Sequence, residues 1–291
     1  MAIWSRNPRL KLKEKAPELR RLLFCLVEMY AVVYNYRMAD WNPTKYDAFR
    51  DLRLRPALDL LAQVPPLPKG DVIDLGCGSG AMGPALANRF GTVTGIDNSP
   101  AMLTKAEQTG AYGALAEANV EDWAPETPPA LIYSNALLHW LPDHAELFPK
   151  LARMLGAGGV LAVQMPVQFD APSHALSREI AAQMFPQQYR PHPPQVSAPQ
   201  VYFDLLDPLG DLSIWRSEYL QILPADAHAH PVRRFTESTA LRPVLDALNA
   251  DQQARFLSAY DDALHTAYPL RGDGRALLPF ARLFMVLRRD D

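Results

Sequence analysis

Residues 72–80 read Val-Ile-Asp-Leu-Gly-Cys-Gly-Ser-Gly, and a second apolar run, Val93-Thr94-Gly95-Ile96, ends in Asp97. A short β-branched run marks a buried strand, and Gly76, Gly78 and Gly80 then let the backbone turn sharply against a ligand. Asp97 follows Gly76 by 21 residues. At that spacing a second-strand carboxylate meets the ribose hydroxyls of a nucleoside ligand lying across a doubly wound sheet. The glycines are spaced G-x-G-x-G, not G-x-G-x-x-G, and Asp74 stands two residues ahead of the first. Glycines alone would also serve a plain tight turn; with Asp97 in place they predict a nucleoside-cofactor site.

The elements that must position these groups alternate regularly. A helix over 47–63 ends at Pro65-Pro66-Leu67-Pro68, and the first strand follows,. A helix over 81–90 leads to the second strand, and Ser99-Pro100 opens the next helix, serine at the N-cap and proline at N1,. A third strand is predicted over 113–120, a fourth over 130–134 and a fifth over 160–165. The helix before the fifth starts at Pro142-Asp143 and stops at Gly156-Ala157-Gly158-Gly159. Such alternation implies a parallel sheet with right-handed crossovers. Beyond Pro166 the pattern changes: 186–199 is rich in Pro and Gln and reads as an irregular loop,. Residues 211–223 alternate like a strand, 236–268 read as helices, and 278–288 as a last strand. The expected fold is α/β, a doubly wound, seven-stranded, mostly parallel sheet. Strands six and seven form its closing hairpin, and residues 167–210 and 224–277 form a helical cap. The expected division is a 1–37 extension, a 38–166 cofactor-binding core, and a 167–291 segment of cap plus hairpin.

Composition narrows the function classes. The chain has 291 residues, 48% hydrophobic and 21% charged, as in a soluble globular protein with one core or a core and a cap,. A net charge of −3 gives no general pull toward nucleic acid or anionic membrane,. Of the two cysteines, Cys25 and Cys77, the second lies inside the glycine loop, so a reduced, cytoplasmic setting is expected,. The first 37 residues carry eight Lys/Arg against three Asp/Glu, leaving 21 basic against 29 acidic in the rest. The apolar run over 22–33, interrupted by Glu28, is shorter than the about 20 residues of a membrane span,. A signal peptide and an amphipathic docking helix are two readings of it.

The loop and its partner acid resemble those of the class I S-adenosylmethionine-dependent methyltransferases. In that family the loop approaches the amino-acid part of the cofactor, the second-strand acid binds the ribose, and there is no pyrophosphate to cradle. The resemblance implies S-adenosylmethionine as cofactor, held by Asp74, Gly76, Gly78, Gly80, Asp97, Asn98, Met102, Asn119, Val120 and Asn135, with Tyr46 and Arg53 as a lid. Asn119 would offer its amide oxygen to the adenine amino group.

Later segments are narrower. They are Asp40-Trp41-Asn42-Pro43, Ser134-Asn135-Ala136-Leu137-Leu138-His139-Trp140-Leu141-Pro142-Asp143-His144, Gln164-Met165-Pro166, Pro172-Ser173-His174, Leu241-Arg242-Pro243 and Leu278-Pro279-Phe280-Ala281-Arg282-Leu283-Phe284. Together they resemble the trans-aconitate methyltransferase branch from about residue 38 onward. Its members methylate one carboxylate of a small tricarboxylic acid. Met38 then looks like a native start, and residues 1–37 like an upstream, poorly packed extension. The chain departs from the branch at His139, where Gln is usual, and at Asn119, where Asp is usual. Ala157 and the Ser238-Thr239-Ala240 stretch depart from it too.

A carboxylate acceptor is ionised at neutral pH and needs no strong base. It needs positive charge for its remaining carboxylates, ideally arginine. The candidates are Arg178, Arg216, Arg242 and Arg282, with Arg242 and Arg282 inside family-like segments. His139, Trp140, Tyr202 and Trp215 complete the expected acceptor side, with core packing as the alternative for each. His139 as a base would point instead to a hydroxyl or amine acceptor. His228 and His230 lack an evident third ligand, so no metal is expected,. The leading expectation is carboxylate O-methylation of a small polyacid. A biosynthetic O- or N-methyltransferase on another small molecule and a non-catalytic cofactor-binding protein are the alternatives. The expected partner is a small acid, with no nucleic acid and no membrane.

Overall fold

Strands β1 (Val72–Leu75), β4 (Leu131–Asn135) and β5 (Val160–Pro166) are apolar runs buried along nearly their whole length. Burial on both faces is what central parallel strands require. The computed structural model describes residues 50–290 apart from His192 and Ser238, with side chains from Leu54 onward. The 1–37 extension, Tyr46 and the side chain of Arg53 lie outside the described residues.

Helix α1 (Arg50–Gln63) precedes β1. Then come α2 (Gly83–Phe90), β2 (Thr94–Asp97), α3 (Pro100–Gln108), β3 (Ala114–Glu117), β4, a 3-10 turn (Leu138–Trp140), α4 (His144–Met154) and β5. The Ser99 side chain caps α3 by accepting from Met102 N at 3.4 Å. With β6 (Gly210–Leu223) and β7 (Ala276–Arg289) the strands pair in the order β3-β2-β1-β4-β5-β7-β6, the first five parallel. The order reverses between β1 and β4, and a crevice at the carboxyl ends of the strands belongs at that switch point.

β6 (Gly210–Leu223) and β7 (Ala276–Arg289) pair antiparallel from Gly210↔Arg289 to Leu223↔Ala276. They are no tight hairpin: α7 (Pro231–Glu237), α8 (Arg242–Asp246) and α9 (Ala250–Ala267) intervene. The last strand enters between β5 and β6. It takes the inner place because residues 280–287 are buried in succession, whereas β6 alternates exposed and half-buried positions as an edge strand does,.

Three apolar clusters hold the fold. One lies between the sheet and α4 and includes Phe148, Tyr202 and Leu206. A second lies beneath α1 and α2 and includes Leu60, Leu86, Tyr133 and Phe284. The third builds the cap from α5 (Pro172–Met184), α7, α8 and α9 around Phe256, Tyr260 and Leu264. It extends onto Leu223, Leu278 and Phe280 of the long strands. Helix α6 (Pro199–Leu206), expected in the cap, instead packs on α4, because Tyr202 and Leu206 present one apolar stripe to the main core,. Among the described residues no helix is long and apolar enough to cross a membrane.

Candidate active site

After β1 the chain doubles back. Gly76 N and Cys77 N both donate to Ile96 O, at 2.8 and 3.0 Å. Gly76 has a φ of +75° and Gly78 of +54°, the left-handed region glycine enters without strain,. A Cβ on Gly76 would lie 2.5 Å from Leu137 Cδ2, whereas one on Gly78 would meet nothing within 4 Å. The space over Gly78 is therefore open, and Asp97 borders it. Gly78 N donates to Asp97 Oδ2 at 2.9 Å and Ser99 N to Oδ1 at 3.0 Å, so one carboxylate ties the loop to the start of α3. Burial raises the Asp97 carboxyl from its usual range, and these backbone donors oppose the rise,.

Asp74 is buried beneath the loop. The Tyr112 hydroxyl donates to its Oδ2 at 2.7 Å. Burial pushes its carboxyl up to about 7, Tyr112 pulls it down, and the Asp97 charge adds to the rise. Burial and both aspartates push the Cys77 thiol up, which leaves it protonated and unreactive,. Asn119 is exposed just past β3, its Oδ1 accepting from Glu121 N at 3.5 Å. Val120 and Met102 are buried, and Asn98 is exposed beside Asp97. Asn135 ends β4, and its Oδ1 and the Ser134 Oγ are buried without a partner among the described residues. The candidate cofactor residues thus gather along the carboxyl ends of adjacent strands. The open cradle and orphaned acceptors fit a polar nucleoside ligand.

The segment expected to face the acceptor begins at Ala136, whose φ of +54° is unusual for a residue with a Cβ and costs about 1 kcal/mol. Its N–H donates to Gln164 O at 2.9 Å, and the chain turns abruptly into the segment carrying His139. That segment is held from behind. His144 Nε2 lies 2.9 Å from Leu138 O and its Nδ1 2.6 Å from the Tyr202 hydroxyl, which accepts from Ser197 N at 3.0 Å. The network assigns the tautomer: the Tyr202 hydroxyl donates to Nδ1, and Nε2–H donates to Leu138 O. Tyr202, expected beside the acceptor, is fully buried in the main core and acts as a strut behind the turn.

Arg282 of β7 is 3% exposed. Its Nη1 donates to Gln164 Oε1 at 2.7 Å, and its guanidinium lies 4.7 Å from the Phe280 ring centre. His139 is half-buried with its ring centre 4.7 Å from that of Trp140. Burial, then the charge of Arg282 and the neighbouring His144 and His174, push its imidazole down to about 3. His174, on α5, meets Ser173 Oγ through Nδ1 at 2.9 Å; burial and Arg178 push it down to about 4. Arg178 donates to Phe169 O at 2.7 Å and lies 3.5 Å from that ring's centre.

The polar interior is incompletely bonded. His139 Nδ1, Gln164 Nε2, Gln168 Nε2 and both amide atoms of Gln221 are buried without partners among the described residues. Native interiors seldom leave such atoms unmatched, and those on Gln164 and on Asn135 beside it in the sheet fit a polar ligand. The register puts Asn135 beside Gln164, with Phe284 opposite Gln164 on β7 and Arg282 two residues further along.

Trp215 stacks on Phe284 with ring centres 4.9 Å apart, on the edge strand. Arg216 is exposed, and Arg242 opens α8 in the cap. His230 Nε2 is 3.0 Å from Tyr268 O, His228 is exposed, and among the described residues no three His, Cys, Asp or Glu side chains gather as metal ligands. Sequence reasoning gave no role to Gln164, Gln168, Gln221, Tyr112, His144 or His174. The available signal was Gln164, an amide inside the otherwise apolar run Val160 to Met165.

Comparison with known proteins gives the family and the fold. A family model described as a methyltransferase domain matches residues 46–251. The chain is 45% identical to a trans-aconitate 2-methyltransferase of Methylobacterium radiotolerans, covering 87% of this chain and 99% of the relative. It is 42% identical to the protein of that name from Escherichia coli O157:H7, covering 87% and 100%. Among solved structures it resembles the YcgJ protein of Bacillus subtilis, with a TM-score of 0.54, 15% identity and coverage of 81% and 100%. A putative methyltransferase of Bacillus halodurans gives a TM-score of 0.52 at 13% identity, with coverage of 81% and 99%. The structural likenesses establish the fold.

Proposed function

The chain belongs to the family of trans-aconitate 2-methyltransferases, and we propose that it transfers a methyl group to one carboxylate of trans-aconitate. S-Adenosylmethionine, when bound, supplies that group as an electrophilic methyl on a sulfonium. Asp97 would receive the ribose hydroxyls, the loop from Gly76 to Gly80 would lie along the amino-acid portion, and Asn119 would meet the adenine edge.

The observation that carries the acceptor assignment is the Arg282–Gln164 pair, buried among unmatched polar atoms at the carboxyl ends of β4 and β5. A guanidinium presents a planar fork to a carboxylate, and Gln164 fixes the direction of that fork. The reacting carboxylate is already ionised, so the protein's task is to align it, hold the other carboxylates and exclude water. His139, pushed down to about 3, is a poor base for an alcohol or amine,. That favours a carboxylate acceptor over the alternatives.

Arg282→Ala tests the reading. The KM for trans-aconitate rises about 100-fold with the cofactor KM little changed, as for loss of a charged hydrogen bond to one substrate. Equal effects on both constants would refute it.

A further inference from the structure

Arg282 from β7, His144 from α4 and His174 from α5 lie near enough for their charges to act on the His139 imidazole, and the His139 segment is joined to the strand of Gln164, the Arg282 partner, through Ala136 N. Two of these imidazoles are already engaged. His144 uses both nitrogens, on Tyr202 and Leu138, and His174 uses Nδ1 on Ser173. His139 is different, because its Nδ1 is buried with no hydrogen-bond partner among the described residues. Before an acceptor enters, the fixed charge of Arg282 and the surrounding burial keep that imidazole neutral.

A tricarboxylate reverses this balance. One carboxylate must stay free to attack the methyl carbon, which leaves two others to be matched. Arg282 matches one. We propose that His139 matches another by taking up a proton from solvent as the polyacid binds, so that the loaded site holds imidazolium and guanidinium side by side. The inference rests on the polyacid reading above and deepens it. Discrimination for acids with several carboxylates then comes from a cation created on binding, because a monoacid saturated by Arg282 leaves His139 neutral. The linkage has a definite sign: a site that gains a proton with its ligand binds more tightly as pH falls.

The test is calorimetric titration of trans-aconitate into the whole protein loaded with S-adenosylhomocysteine, which prevents turnover. It is run near pH 6.5 in two buffers of different ionisation enthalpy. The expected heats differ between the buffers by up to one proton per acceptor, and Kd weakens as pH rises from 6.5 to 7.5, by more than about twofold and at most tenfold per unit. His139→Gln, an uncharged replacement of similar length, keeps binding but loses the buffer dependence, and its Kd changes less than about twofold over that range. A histidine nitrogen NMR spectrum of the unaltered protein gives an independent readout, moving His139 to its imidazolium position on saturation. Binding without buffer dependence overturns the proton uptake and leaves the polyacid reading standing. Uptake that persists in His139→Gln overturns the assignment to His139. No binding of trans-aconitate to the loaded protein overturns both.

Discussion

Arg282 and Gln164, 118 residues apart in the chain, meet across the β5–β7 pairing, where Nη1 donates to Oε1 at 2.7 Å. The guanidinium is thereby aimed by a neutral amide. Gln164→Leu keeps the side chain's bulk and removes the aim. Steady-state kinetics then show an acceptor KM about 10–100-fold higher, the scale of one hydrogen bond to a charged group, with the cofactor KM within about twofold. A matching rise in the cofactor constant would place Gln164 on the wrong side of the site.

The glycine loop separates folding from binding. Gly76→Ala drives a Cβ to 2.5 Å from Leu137 at a φ of +75° and destabilises the fold, by about 2–4 kcal/mol in denaturant unfolding. Gly78→Ala meets nothing within 4 Å, so it costs the fold only about 1 kcal/mol. Its methyl group instead fills the cradle, and S-adenosylmethionine affinity falls at least tenfold in calorimetry. Normal affinity in Gly78→Ala would move the cofactor away from this loop.

Tyr202→Phe removes the hydroxyl linking Ser197 N to His144 Nδ1. A buried imidazole nitrogen is left unmatched, and equilibrium unfolding shows a loss of about 1–3 kcal/mol. If Tyr202 lined the acceptor pocket, stability would hold and the acceptor KM alone would move.

Asp74 gives the apoprotein a pH signature. Burial pushes its folded carboxyl up to about 7, well above the ordinary carboxylate range. The folded state therefore binds the extra proton, and this contribution to stability is present below the unfolded value and fades as pH rises toward about 7. Asp74→Asn cannot ionise. Melting temperatures followed from pH 5 to 8 converge and then cross in favour of the variant. Parallel curves would mean that Asp74 is ionised throughout.

Parts of this account were legible in the sequence for a physical reason. Asp74, the glycines and Asp97 lie within one strand–helix–strand unit, so chain spacing alone sets their geometry. The apolar runs of β1, β4 and β5 announce their burial in the same way. The seat of Arg282 was not legible, because it depends on β7 entering between β5 and β6 and on the register that follows. Core packing, one of two readings open for Tyr202, did not stand out because its helix follows a Pro-rich loop that reads as cap. Its stripe with Leu206, four residues on, carried the opposite message. Gln164 stood out only as a polar residue in an apolar strand, and its partner lay on a strand yet to be placed.

Methyl transfer to a carboxylate of trans-aconitate is tested by incubating the purified protein with methyl-labelled S-adenosylmethionine. Trans-aconitate, other di- and tricarboxylic acids, monoacids, alcohols and amines are offered in parallel. The expected result is saturable label in trans-aconitate, released as methanol by mild base because the product is an ester, and little label in monoacids. Label in none of the polyacids, or in an alcohol or amine as base-stable product, would contradict it.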